Sequence, residues 1–284
     1  MLKQRVLTAI VLLAVLYVAT AWLPPSWFAV FLTLVLVPAL FEWGGLMGLS
    51  RGPDKLLWLA AFGAVLGLSL LALQTLAGDT GLVVLNLLAL GFWLFVFWLI
   101  HDYPEGQERW STVWKIGLMG IACLLPTWMA LFHLKLWAPS GVLVFVLVAL
   151  VSVVDIGAYF TGRAFGRSKL APALSPKKSW AGFWGGLACC VVLSIVLLTW
   201  LQSVHGPLSL SLWLLMILAT VLLAVVSVVG DLFESMLKRH RGIKDSGRSL
   251  PGHGGILDRI DSLVAATPVY MLAVLLLSRN LDFL

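Results

Sequence analysis

Apolar residues in this chain form long uninterrupted runs, without the alternation or amphipathic spacing of a soluble domain. A helix needs about 20 apolar residues to cross a hydrocarbon layer about 30 Å thick. Runs of roughly that length lie at residues 6–23, 27–47, 55–77, 81–100, 115–134, 140–160, 181–201, 209–231 and 262–279. The pattern predicts an all-α, polytopic integral membrane protein of about nine transmembrane helices, built as one domain over residues 1–284.

The basic residues between these runs predict an orientation. Cytoplasmic loops of membrane proteins carry an excess of Lys and Arg. With the N-terminus placed in the cytoplasm and the C-terminus outside, 17 of the 19 basic residues fall on the cytoplasmic side, and only Lys135 and Arg279 do not. The helix number and the orientation therefore support each other.

Composition agrees with a membrane protein and narrows its partners. Apolar residues make up 61% of the chain and charged residues 11%, against roughly 25% charged residues in a soluble domain. The net charge of +6 comes from residues between apolar runs, which favours contacts with anionic lipids over nucleic acid. The three cysteines lie inside apolar runs without the spacing of a metal or redox motif.

Several carboxylates lie where the membrane should disfavour them. Ionisable residues within a span are costly and usually functional, and Glu42, Asp155, Asp231 and Glu234 all lie toward the cytoplasmic ends of their predicted helices. Asp231, Glu234, Ser235 and Lys238 are spaced to share one helix face, as are Asp258 and Asp261. For Glu42 alone, a carboxylate that simply reaches the interface or pairs with a nearby basic residue is the preferred interpretation.

Two long polar segments, residues 161–180 and 235–261, interrupt the second half of the chain. The later segment reads SMLKRHRGIKDSGRSLPGHGGILDRID and should leave the helix after about Arg239 and return to one near Ile256. Carboxylates beside many Lys and Arg residues suit Mg²⁺ and a polyphosphate, because Mg²⁺ binds one or two carboxylates together with substrate phosphates. Residues 150–262 are therefore the expected catalytic region, and residues 1–149 the mainly structural helices.

The full 235–261 segment resembles the signature of the phosphatidate cytidylyltransferase family, also called CDP-diacylglycerol synthases. The resemblance continues upstream through residues 155–159, 162–163, 166–167, 170–172, 175–179 and 230–231. One departure is Ala181, where relatives often carry Glu or Gln, so a ligand role at that position is in doubt. The resemblance implies a nucleotidyltransferase of phospholipid biosynthesis that converts CTP and phosphatidate into CDP-diacylglycerol and pyrophosphate. It also implies a bacterial inner membrane location with the active site facing the cytoplasm, and it leaves a homodimer open.

The resemblance, together with residue chemistry, assigns candidate roles. Mg²⁺, with a second cation left open, is assigned to Asp231, Asp258 and Asp261. The wider catalytic set is Asp231, Lys238, Arg239, Lys244, Asp245, His253, Asp258, Arg259 and Asp261. Substrate contacts are assigned to Asp155, Arg163, Ser175, Lys177, Lys178, Ser179, Ser235, Gly254 and Gly255. The backbone amides around His253 are expected to approach phosphate oxygens. Residues 175–179 are expected to form a turn.

Three other functions remain to be separated from this one. A CTP-using lipid kinase, of the polyprenol kinase type, or another lipid cytidylyltransferase would use similar groups on a different acceptor. An ion-coupled transporter would also use intramembrane carboxylates, but nearer the bilayer midplane and without many basic neighbours. A membrane scaffold without catalytic activity would leave the signature unexplained.

Overall fold

The computed structural model describes residues 11, 14–75, 79–250, 252 and 254–279. Residues 14–21 are helical and are named α1. The remaining helices are α2 (Pro25–Met47), α3 (Gly52–Thr75), α4 (Thr80–His101), α5 (Val113–Trp137), α6 (Val142–Phe165), α7 (Trp180–His205), α8 (Leu210–His240) and α9 (Leu257–Ser278), with a 3-10 turn at Gln107–Arg109.

Eight of these helices, α2 to α9, are long and apolar enough to cross a membrane. They coincide with eight of the nine apolar runs, so the prediction of a helical integral membrane protein is confirmed. The beginning of the first run lies outside the described residues, and its described part forms α1. The number of spans and their orientation stay predictions.

The helices do not end where the apolar runs end. Helix α8 continues to His240, nine residues past the predicted end of its run, and α9 begins at Leu257, five residues before its run. The backbone therefore leaves the helix after His240 and returns to one at Leu257, close to the predicted positions of Arg239 and Ile256. Eleven of the 27 residues of the polar segment 235–261 are thus helical, and the described residues between 241 and 256 form a loop, the 241–256 loop, that joins α8 to α9.

A short β-hairpin departs from the purely helical prediction. Strands β1 (Lys169–Ala171) and β2 (Ser175–Ser179) pair antiparallel between α6 and α7, with Lys169 opposite Ser179 and Ala171 opposite Ser175. The expected turn at residues 175–179 is therefore wrong, because those residues extend and pair with β1. The hairpin lies directly before α7, and the Ser179 hydroxyl accepts a hydrogen bond from the Gly182 amide as the cap of that helix.

Glycines bring the helices of the second half close together. A Cβ atom on Gly186 would lie 2.5 Å from the Val154 carbonyl oxygen of α6, and one on Gly230 would lie 2.6 Å from the Asp261 carbonyl oxygen of α9. Such contacts allow backbones to approach in a membrane, where small residues favour helix association. Gly230 therefore places Asp231 of α8 beside Asp261 of α9.

The helix ends that carry the polar residues meet at one end of the bundle. Gln107, between α4 and α5, contacts His240 at the end of α8, while Arg241 donates hydrogen bonds to the carbonyls of Leu46 and Met47 at the end of α2. At the opposite end, the fully buried Lys135 of α5 donates to the carbonyls of Thr20 and Pro139. The expected gathering of the carboxylates at one end is confirmed.

Candidate active site

A buried lysine joins two carboxylates from different helices. Lys238 of α8 lies 2.9 Å from Glu234 Oε2 and 2.5 Å from Asp258 Oδ1 of α9. The three side chains are only 10%, 4% and 8% exposed. The predicted helix face of α8 is confirmed, because Glu234 and Lys238, four residues apart, point to the same place.

Asp231 forms a second and more open ion pair. Its Oδ2 lies 2.7 Å from the Nζ atom of Lys178 on β2, with the side chains 33% and 24% exposed. Ser235, one turn later on α8, donates a hydrogen bond of 3.4 Å to Asp231 Oδ1. The hairpin thus brings one of the predicted phosphate-binding lysines onto a predicted metal ligand.

Asp258 is the centre of a hydrogen-bond network at the start of α9. Its Oδ2 accepts from the Ser246 amide at 3.0 Å and the Gly255 amide at 2.8 Å, and lies 3.1 Å from the Ser246 hydroxyl, whose single proton it shares with Glu42. With Lys238 on Oδ1, both carboxylate oxygens are engaged. The Gly255 amide, one of those expected to approach a phosphate, donates to the Asp258 side chain in the first turn of the helix that follows it.

Glu42 of α2 reaches the same region from the other half of the chain. Its Oε1 accepts from the Ser249 hydroxyl at 2.6 Å and the Ile256 amide at 3.0 Å, and its Oε2 accepts from the Ser246 hydroxyl at 3.1 Å and the Leu257 amide at 3.0 Å. The residue is 6% exposed. A carboxylate that merely reaches solvent is therefore the wrong interpretation of Glu42.

Arg241 makes a second connection between α2 and the loop. Its guanidinium covers Gly48, which has a φ of +89° and leaves no space for a side chain. Burial lowers the pKa of Arg241 below its usual value, but a guanidinium stays protonated near neutral pH. The loop is therefore fixed to α2 at its first residue as well as at Glu42.

An apolar cavity of about 420 Å³ opens beside these residues, between α1, α2, α5, α6 and α9. Most of its lining is aliphatic or aromatic, while Asp155, Asp258, Arg259 and Asp261 form its polar part together with Thr127, Ser152 and Ser262. An apolar cavity with charged groups in its wall suits an amphipathic ligand such as a lipid. Asp155 and Arg259, which the sequence assigned to different segments, both line this cavity.

Other predicted residues lie around the site without meeting its centre. Arg239 donates to the Leu174 carbonyl at 3.4 Å, and Arg163 lies 3.4 Å from the Tyr159 hydroxyl. Lys177, Lys244 and Asp245 are exposed, Ser175 is half-buried, and Ser179 caps α7. Gly254, with a φ of +84°, is the exception, because a Cβ atom there would lie 2.8 Å from Asp258 Oδ2. His253 lies outside the described residues.

The acidic residues exceed the cations that accompany them. Asp155, Asp231, Glu234, Asp258 and Asp261, here named the carboxylate cluster, interact with three cations, Lys178, Lys238 and Arg259, which leaves two formal negative charges. Among the described residues, Oε1 of Glu234 is buried, and a hydrogen bond between the Glu234 and Asp261 side chains places a proton between these two carboxyl groups. A divalent cation would take the place of that proton and compensate the remaining negative charge.

The part of the chain that the structure describes holds no group of three Asp, Glu, His or Cys side chains that could bind a metal ion by themselves. Mg²⁺ commonly takes only one or two carboxylates and completes its shell with water and substrate phosphates. The cluster therefore fits an ion that arrives with a polyphosphate, rather than a closed protein site.

Comparisons with known proteins decide the family. The sequence profile of the cytidylyltransferase family matches residues 3–277. This chain belongs to the cytidylyltransferase family. Proteins named phosphatidate cytidylyltransferase are similar over nearly their full length: one from Pseudomonas aeruginosa is 43% identical over 95% of this chain and 96% of its own, and one from Haemophilus influenzae is 36% identical over 95% and 97%. A third, from Staphylococcus haemolyticus, is 34% identical over 94% and 97%.

Two residues of this cytidylyltransferase were given no role in the site from the sequence. Glu42 stood in the half of the chain expected to be structural, and Ser246 lay in the loop without a distinguishing spacing. Ser246 is buried and its hydroxyl lies 3.1 Å from both Glu42 Oε2 and Asp258 Oδ2. The intramembrane charge of Glu42 was the only sequence signal that could have indicated this connection.

Proposed function

We propose that this cytidylyltransferase uses phosphatidate as its acceptor and converts CTP and phosphatidate into CDP-diacylglycerol and pyrophosphate. The observation that carries the proposal is the position of the signature residues Asp258, Arg259 and Asp261, which are the polar part of the apolar cavity. A lipid phosphate placed there would have its chains against apolar walls. The names of the full-length relatives support the same acceptor.

In this reaction an oxygen of the lipid phosphate attacks the α-phosphorus of CTP. A new P–O bond forms there, the bond between the α-phosphorus and the bridging oxygen breaks, and pyrophosphate leaves. The attacking phosphate is already anionic near neutral pH, so no strong general base is required. Alignment and neutralisation of charge are the main contributions expected of the protein.

The proposed roles follow the positions of the side chains. Arg259, in the polar part of the cavity, would hold the lipid phosphate. Lys178 on the hairpin and the exposed Arg239 and Lys244 would contact the phosphates of CTP from the open side. Lys238 lies between Glu234 and Asp258, so its proposed role is to keep these two carboxylates in place.

Mg²⁺ is proposed to bind at Asp231 and Asp261, which are neighbours across the α8–α9 contact. Asp258 remains a proposed ligand, although Lys238, Ser246 and Gly255 already engage its oxygens. When bound with the nucleotide, the ion would neutralise phosphate charge and favour departure of pyrophosphate. A second cation is compatible with the two uncompensated negative charges, and Asp155 is proposed to support this region from α6.

The proposed orientation places the site at the cytoplasmic face of a bacterial inner membrane. The N-terminus would lie in the cytoplasm, nine helices would cross the membrane, and the C-terminus would lie outside. The distribution of basic residues supports this arrangement, since the polar end of the bundle carries the hairpin and the 241–256 loop. Water-soluble CTP and a membrane-bound acceptor would meet there.

The test is an incubation of the purified protein in liposomes with phosphatidate, α-labelled CTP and Mg²⁺. Label in a lipid product together with pyrophosphate in solution, both lost with EDTA, is the expected result. Release of CDP with a phosphorylated lipid would indicate a kinase, and CTP left intact while a solute accumulates in the liposomes would indicate a transporter. An Asp231→Ala variant that stays folded but makes normal amounts of product would contradict the proposed metal site.

A further inference from the structure

The carboxylate of Glu42 connects two parts of the chain that are about 200 residues apart. Its four hydrogen bonds all come from the 241–256 loop and the first turn of α9. The residue lies on α2, in the half of the chain that carries none of the residues proposed to contact phosphate or metal. Its side chain is buried and points into the loop.

We infer that Glu42 is a positioning residue that holds the 241–256 loop closed on the carboxylate cluster. The connection to the cluster runs through Ser246, whose hydroxyl lies between Glu42 Oε2 and Asp258 Oδ2. Asp258 in turn contacts Lys238. The effect of Glu42 on catalysis rests on the proposed function, whereas its effect on the loop does not.

The loop backbone closely encloses this carboxylate. Cβ atoms on Gly247 and Gly255 would lie 2.5 Å from Glu42 Oε1 and Oε2 respectively, so neither position has room for a side chain. Two of the four donors are the Ile256 and Leu257 amides at the start of α9, where a negative charge is favoured by the helix dipole. Both oxygens of Glu42 and its negative charge therefore contribute to holding the loop backbone in this position.

Glutamine has the size of glutamate but not its hydrogen-bonding capacity. Each oxygen of Glu42 accepts from one hydroxyl and one backbone amide. In Glu42→Gln an NH2 group takes the place of one of these oxygens, so in either orientation of the side chain two donors would face another donor. Buried donors that lose their acceptor are costly. The variant should therefore open the loop without changing the volume of the side chain.

Limited trypsin digestion in detergent reports the opening directly. Cleavage after Lys244 and Arg248 samples the loop, and cleavage after Arg51, in the turn between α2 and α3, serves as the internal reference. For Glu42→Gln we expect loop cleavage to accelerate at least about tenfold, with cleavage after Arg51 unchanged within about twofold. An equal increase at both places would indicate general destabilisation and overturn the inference, as would unchanged loop cleavage.

A milder variant and a matched control keep the inference testable if Glu42→Gln does not fold. Ser249→Ala removes one of the four donors and should accelerate loop cleavage by about two- to fivefold. Asp54→Asn removes a carboxylate from the exposed first turn of α3 and should leave loop cleavage unchanged. Equal rates of loop cleavage in Ser249→Ala and Asp54→Asn would count against the inference.

Activity supplies the second measurement. We expect kcat/KM for CTP to fall at least about tenfold in Glu42→Gln, less in Ser249→Ala, and not at all in Asp54→Asn, in the same order as loop cleavage. A Glu42→Gln enzyme with an open loop and full activity would overturn the positioning role. If the unmodified protein labels no lipid but its loop opens in Glu42→Gln as described, the proposed function fails while the role of Glu42 in closing the loop stands.

Discussion

Replacing Lys238 by Met should destabilise the protein far more than the same replacement of Lys178. Both lysines pair with carboxylates near the end of α8, at 2.5 and 2.9 Å for Lys238 and 2.7 Å for Lys178. They differ in burial, because the Lys238 side chain is 10% exposed and that of Lys178 is 24% exposed. The comparison therefore contrasts a buried lysine that has two carboxylate partners with a more open lysine that has one.

The magnitudes follow from what each replacement leaves behind. Without Lys238, Glu234 and Asp258 remain as buried carboxylates at 4% and 8% exposure, and breaking a buried ion pair costs about 3–5 kcal/mol. Asp258 keeps the backbone amides of Ser246 and Gly255 as donors, which places the expected loss at about 3 kcal/mol, the lower end of that range. Without Lys178, Asp231 stays partly solvated, and such pairs contribute about 0–1 kcal/mol.

The assay is reversible unfolding in mixed micelles with increasing SDS, followed by circular dichroism, for both single variants. Adding Glu234→Gln to Lys238→Met removes one uncompensated charge and should recover at least about 1 kcal/mol relative to Lys238→Met alone. Free energies of unfolding for Lys238→Met and Lys178→Met that agree within about 1 kcal/mol would refute the reasoning. A double variant less stable than Lys238→Met would also refute it.

Three further predictions test other parts of the molecule. Asp261→Asn should abolish Mg²⁺-dependent lipid labelling while the protein stays folded, and an Mg²⁺ titration indistinguishable from the unmodified enzyme would contradict its role at the metal. Lys135→Met should lower the free energy of unfolding by about 1–3 kcal/mol, because two backbone carbonyls lose a buried donor, yet kcat of the folded protein should stay within about twofold because the site is at the other end. Gly186→Ala should destabilise the protein by about 1–3 kcal/mol, because its Cβ atom would lie 2.5 Å from a backbone carbonyl oxygen. The control, Gly67→Ala, should not destabilise it, because no atom lies within 4 Å of that Cβ position. Equal thermal stability of the two variants would contradict the close packing of α6 and α7.

Regular periodicity explains which parts of the site could be predicted from the sequence. A helix repeats every 3.6 residues, so the sequence spacing predicted one shared helix face for Asp231, Glu234, Ser235 and Lys238. The contacts of Lys238 with Glu234 and of Ser235 with Asp231 confirm this shared face. Hydropathy likewise located the eight long helices. It placed their ends less well, because backbone hydrogen bonds of a helix such as α8 continue through polar residues once the chain leaves the hydrocarbon.

Contacts between distant segments could not be predicted in the same way. The pairing of Lys178 with Asp231 depends on the hairpin, whose strands are only three and five residues long and include Pro176, so no strand pattern was visible. The link from Glu42 to the loop spans more than 200 residues and depends on how α2 packs. The helix period predicts which residues are neighbours on the surface of one helix. The partners of a buried charge depend instead on how several helices and loops pack together.

The network also indicates how the two proposed substrates could be brought to the same place. Asp258 belongs both to the polar part of the apolar cavity and to the hydrogen-bond network of the 241–256 loop. Under the proposed reaction, the acceptor phosphate occupies the cavity side of this residue and the nucleotide phosphates occupy the loop side. Lys238 of α8 holds Asp258 directly, and Glu42 of α2 reaches it through Ser246. A displacement of the loop would therefore change the environment of both substrates together.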